Sequence, residues 1–114
     1  MDMDNLDDLL KDVYVNVKEI YGDDFIKMIL YGSRARGDYD EYSDIDILVL
    51  VKCDDKTIHN YQSEVTRALT EIGFKHSVFI SISVMTNNID YFNYWKDDMP
   101  YFINVVNEGI EINV

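Results

Sequence analysis

The sequence predicts a two-layer α/β (α+β) domain, a small mixed sheet with helices packed on it, formed by residues 1–114 as one unit. Three observations predict it. Apolar residues recur at helical spacing in long stretches, and short apolar runs with period-two alternation stand between those stretches. The resulting order is helix, strand, strand, helix, strand, helix, strand, which a chain of 114 residues can pack around one core. No repeat, low-complexity tract or Gly/Ser linker divides it.

The first helix is carried by Leu6, Leu9, Leu10, Val13, Val17, Ile20 and Tyr21, with Asn5 placed to cap its start and Gly22 its end. "FIKMILYG" then reads as a short buried strand closing at Gly32, and "DIDILVLV" as a second strand. Asp54 and Asp55 end that strand, and Asp55 or Thr57 is placed to cap the next helix. This helix puts Ile58, Tyr61, Val65, Ala68, Leu69 and Ile72 on one face, and Gly73 is expected to stop it. In "SVFISISVM" the third strand shows Val78, Ile80, Ile82 and Val84 to one side and Phe79, Ser81 and Ser83 to the other. Thr86 or Asn87 opens a further helix, which Pro100 breaks or restarts, and "IEINV" after Gly109 reads as a last edge strand.

Net charge is −12, with an isoelectric point near 4.2. Such a field repels duplex DNA and long RNA, which argues against direct nucleic-acid binding. It leaves room for a nucleotide, because a bound cation neutralises carboxylate and phosphate together, and it suits a basic protein partner. No apolar run is long enough to span a membrane. The acidic opening "MDMDNLDDLL" is unlike a basic signal peptide, and the single thiol, Cys53, fits a reducing compartment, so a cytoplasmic location is expected.

One stretch departs from the pattern of a packing domain. "YGSRARGDYDEYSDIDILVLV" sets a Gly-Ser turn and two of the chain's three arginines ahead of a strand that then carries two acids. Alternation places Asp44, Asp46, Leu48 and Leu50 on one face and Ile45, Ile47, Val49 and Val51 on the other. The two carboxylates are thus same-side neighbours, their Cα atoms roughly 6.5–7 Å apart, and together they grip one or two hard cations. Oxygen ligation of this kind suits Mg²⁺, which takes one or two carboxylates and completes its shell with phosphate and water. Gly32 lets the backbone approach a ligand closely, and Ser33 offers a hydroxyl beside backbone N–H groups suited to phosphate. Arg34 and Arg36 suit phosphate oxygens. Surface pairing with Asp38, Asp40 or Glu41 is the other reading of the arginines. Carboxylates for metal and donors for phosphate together make a site for a nucleoside triphosphate.

Gly32-Ser33, ten intervening residues and then Asp44-Ile45-Asp46 resemble the signature of the DNA polymerase beta-like nucleotidyltransferase superfamily. The stretch is most similar to the minimal nucleotidyltransferases, among them the MntA-like antitoxins of HEPN/MNT toxin–antitoxin systems. The ending "FINVVNEGIEINV" resembles the end of such domains. The resemblance implies that Ser33 binds the triphosphate of ATP and that Asp44 and Asp46 are the catalytic ligands of two Mg²⁺ ions. It implies transfer of AMP from ATP to a tyrosine of a cognate HEPN-type ribonuclease toxin, with the toxin as partner in a hetero-oligomer. Larger relatives carry a third carboxylate on the neighbouring strand, where this chain offers Ser81 and Ser83. That departure keeps an alternative open, a catalytically degenerate antitoxin that neutralises its toxin by binding alone.

Overall fold

The computed structural model describes residues 3–32, 44–86 and 109–112. Helix α1 runs over Met3–Tyr21, followed by a single tight turn over Gly22–Asp24. Strand β1 is Phe25–Tyr31 and β2 is Ile45–Val51; helix α2 is Asp55–His76, β3 is Ile80–Thr86 and β4 is Ile110–Ile112. The strands form a mixed sheet in the order β3-β2-β1-β4. β1 is antiparallel to both β2 and β4, whereas β2 and β3 are parallel and joined through α2, as a parallel pair needs a long crossover.

The apolar pattern explains the layers. Leu9, Val13 and Val17 of α1 are fully buried, as are Met28 of β1 and Ile45, Ile47, Val49 and Val51 of β2. Val65, Leu69 and Ile72 of α2 complete this core, with Ile80, Ile82 and Val84 of β3 packed against it. α1 and α2 therefore share one face of the sheet. The opposite face has an apolar layer of its own, in which Leu48 and Leu50 meet Ile26, Ile29, Tyr31 and Met85. A central strand buried on both faces reads as a continuous apolar run, which accounts for "ILVLV".

Several boundaries differ from the sequence expectation. α1 begins at Met3, so Asn5 lies within its first turn and does not cap it; Gly22 does follow its end, at φ +57°. α2 is capped by Asp54, whose carboxylate accepts the Thr57 N–H at 2.9 Å, so neither Asp55 nor Thr57 is the cap. Asp54 is held below the usual carboxylate range, chiefly by that hydrogen bond from the Thr57 backbone.

Gly73 does not stop α2 either. The helix continues to His76 and ends at Ser77 in the left-handed region, φ 56°. Gly73 serves close approach instead. A Cβ there would stand 2.6 Å from the Val78 carbonyl oxygen, and the Val78 N–H donates to the Gly73 carbonyl at 2.9 Å. The His76 side chain is only 12% exposed and holds α2 to α1 through Asp12, with Nε2 3.1 Å from Oδ2. Thr86 ends β3, and the helix expected after it, with Pro100, lies outside the described residues.

Candidate functional site

The site begins where β1 ends. Tyr31 pairs with Asp46 across the antiparallel ladder, and Asp46 pairs with Ser81 across the parallel one. The three residues stand abreast on adjacent strands, at the C-terminal end of β1 and the N-terminal ends of β2 and β3. Asp44 comes just before β2 and is exposed, while Asp46, inside the strand, is half-buried. Between them Ile45 is fully buried in the helix-side core. The packing of Leu48 and Leu50 on the other face puts the Asp46 side of β2 away from the helices.

Gly32 fixes the turn against this strand. It adopts φ +75°, a conformation open to glycine and strained for other residues. A Cβ at Gly32 would collide with Asp46 Oδ2, and would lie 3.3 Å from its Cγ and 3.4 Å from its Cβ. The backbone of Gly32 is thus close against one of the two carboxylates that the sequence singled out. Ser33, Arg34 and Arg36 lie outside the described residues, as do Asp38, Asp40 and Glu41.

Among the described residues no three His, Cys, Asp or Glu side chains gather as a metal site. Asp44 and Asp46 fit Mg²⁺ in a different way: two carboxylates, with phosphate and water as the remaining ligands. Of the phosphate-side residues only Gly32 is described, and its backbone lies against Asp46. Ser81 occupies the position beside Asp46 on β3, so this strand brings a hydroxyl there and no acid.

The sequence missed two neighbours of the carboxylates. Tyr31 reaches Asp46 only through the antiparallel register. Phe79 comes beside Asp44 because the Ile45 N–H donates to the Phe79 carbonyl at 3.0 Å, one residue before Ile45 pairs with Ile80. Alternation had put Phe79 on the polar face; only the strand register shows which residue it stands beside.

Other titratable groups lie elsewhere. Burial pushes the Tyr21 phenol up to about 12, with Cys53 and Tyr61 adding to the shift. Burial also raises the Cys53 thiol, in keeping with an unreactive cysteine. The His76 hydrogen bond, followed by Lys75, holds the Asp12 carboxyl below its ordinary value against the opposing effect of burial.

The nucleotidyltransferase domain family matches residues 11–103. The chain belongs to this family. A protein of Methanocaldococcus jannaschii named as a candidate protein adenylyltransferase, MJ0141, is 32% identical over 106 residues, covering 92% of this chain and 96% of its own length. A second from the same organism, MJ0604, is 34% identical over 105 residues, covering 92% of this chain and 95% of that protein. Among solved structures, a candidate nucleotidyltransferase from Sulfolobus solfataricus superimposes with a TM-score of 0.58 at 21% identity, over 96% of this chain and 83% of that one. A toxin–antitoxin crystal structure with AMP-PNP gives a TM-score of 0.52 at 15% identity, over 89% of this chain and 70% of that one. These two likenesses bear out the fold, a small mixed sheet with helices packed on it, and the family match with the Methanocaldococcus relatives makes it a minimal nucleotidyltransferase domain. No helix among the described residues is long and apolar enough to cross a membrane.

Proposed function

We propose that residues 1–114 form a single-domain, Mg²⁺-dependent nucleotidyltransferase that moves AMP from ATP to a tyrosine hydroxyl of a partner protein, a HEPN-type toxin that it neutralises in the cytoplasm. The observation that carries this reading is the contact of the Gly32 turn with Asp46. Gly32 and Asp46 come from the two halves of the family signature, and relatives that match 92% of the chain are named for protein adenylyl transfer.

In this reading Ser33 and the turn backbone receive the triphosphate, and Arg34 and Arg36 balance its charge. Asp44 and Asp46 hold Mg²⁺, which when bound would offset charge on the phosphates and favour loss of the acceptor proton. The acceptor oxygen forms a bond to the α-phosphorus, the bond from that phosphorus to pyrophosphate breaks, and the hydroxyl proton passes to a base of the partner or to water. Ser81 beside Asp46 is no general base for that proton, so the partner or solvent supplies one. The toxin–antitoxin complex that shares the fold supports a toxin as the partner.

The test is mass spectrometry of the product of an adjacent toxin gene after incubation with this protein, ATP and Mg²⁺. Expected is a gain of about 329 Da per transferred AMP, absent with the combined Asp44→Asn, Asp46→Asn variant, which should also fail to silence the toxin. Silencing by that variant with no mass change would establish the binding-only antitoxin, the reading that Ser81 in place of an acid favours.

A further inference from the structure

β3 ends the sheet among the described residues, so one of its edges faces away from β2. Between β3 and the C-terminal half of α2 runs a groove of about 750 Å³. Its walls include Leu69, Phe74, Phe79, Ile80 and Ile82, and its lining residues carry no charged side chain. Phe74 is 88% exposed and Phe79 is 71% exposed. Single exposed apolar residues are ordinary, but two phenylalanines along one groove form a surface suited to a partner. The groove lies on the helix side of the sheet and Asp46 on the other, so a strand added at the outer edge of β3 would turn alternate side chains to each. Ser81, which lines it, is the register partner of Asp46, and Phe79 stands one position earlier, beside Asp44.

We infer that this groove and the outer edge of β3 dock the acceptor polypeptide as an extended, cationic segment with apolar side chains, delivering its hydroxyl past Phe79 and Ser81 to Asp44 and Asp46. The inference rests on the adenylyl-transfer reading and adds where the acceptor binds and what its chemistry is. An extended segment is the form that satisfies the backbone groups of an end strand. A cationic one complements a chain of net charge −12, whereas a second copy brings the same −12 to the same edge. The uncharged lining takes the apolar side chains, and the acidic field of the whole chain steers the basic ones.

The probe is a fluorescein-labelled ten-residue peptide of alternating Val and Lys with one central Tyr, measured by anisotropy against the full chain, beside a counterpart with Glu for Lys. The Lys peptide should bind, and the Glu peptide should bind at least tenfold more weakly. Phe74→Ser and Phe79→Ser should each weaken the Lys peptide about tenfold; both sites are exposed, and circular dichroism checks that the variants fold. Unchanged affinity in both variants overturns the inference. So does a wild-type dimer that either variant dissociates on sedimentation, which would make a second copy the occupant. Loss of ATP affinity in Phe79→Ser with the peptide unaffected also overturns it, making Phe79 a base platform. Wild type that binds the peptide through the phenylalanines but shows no binding of ATP with Mg²⁺ would retain the docking surface and remove the adenylyl-transfer reading.

Discussion

Replacing Gly32 by alanine separates backbone strain from damage to the site, because Gly22 provides a matched control. Both glycines have positive φ, +75° at Gly32 and +57° at Gly22. Alanine in the left-handed region costs about 1–2 kcal/mol at either position. The surroundings differ. A Cβ at Gly22 meets nothing within 4 Å, whereas one at Gly32 meets the Asp46 carboxylate. Rotating the carboxylate relieves the clash with Oδ2, and the 3.3 Å approach to Cγ is relieved by a small off-rotamer shift of the side chain. That adds about 0.5–1.5 kcal/mol. Gly22→Ala should therefore lower the melting temperature by roughly 5 °C and Gly32→Ala by roughly 10 °C. Calorimetry should show ATP affinity in Mg²⁺ unchanged for Gly22→Ala and reduced about tenfold for Gly32→Ala, since a tenfold loss needs only about 1.4 kcal/mol. If Gly32→Ala melts with Gly22→Ala and binds ATP as wild type does, the turn does not position Asp46, and the reasoning fails.

Two further predictions concern stability. The Tyr21 hydroxyl is buried with no hydrogen-bond partner among the described residues; Tyr21→Phe removes a desolvated polar group and should melt at or above the wild-type temperature, a fall of several degrees showing that the hydroxyl is satisfied after all. Because Asp12 titrates lower in the folded chain than in the unfolded one, its pairing with His76 and Lys75 stabilises the fold above the ordinary carboxylate range, near pH 4, and that contribution is lost as pH falls through the folded value. Asp12→Asn, at a partly exposed site, should cost about 0.3–1 kcal/mol at pH 6 and less at pH 2.5, measured by urea titration at both; an equal cost at both would contradict it.

Much of the architecture was legible because it follows from local periodicity. The alternation in "DIDILVLV" correctly separates Ile45, Ile47, Val49 and Val51 from Leu48 and Leu50, and the structure shows the first set in the core shared with the helices and the second in the opposite layer. The helix ends were less legible. Asp54, Asp55 and Thr57 are all competent caps by composition, and only the Asp54–Thr57 hydrogen bond decides among them. Gly73 carried a stop signal, but it answers to the Val78 carbonyl that folds back over it, a contact five residues on that no propensity encodes. The same distinction applies at the site. Asp44 and Asp46 stood out because acids are rare in so apolar a run, whereas Tyr31, Phe79 and Ser81 become their neighbours through strand pairing. Those pairings join residues far apart in sequence, Ser81 to Asp46 across the α2 crossover and Tyr31 to Asp46 across the antiparallel ladder.

The central claim, that Asp44 and Asp46 bind ATP through Mg²⁺ at the Gly32 turn, is tested most directly by titrating ATP calorimetrically into wild type and into Asp46→Asn, each with Mg²⁺ and with chelator. The account predicts that wild type binds ATP at least tenfold more tightly with Mg²⁺, and that Asp46→Asn, folded and with its core intact, shows no such difference. Equal affinity in wild type with and without the metal, or a metal effect preserved in Asp46→Asn, would contradict it.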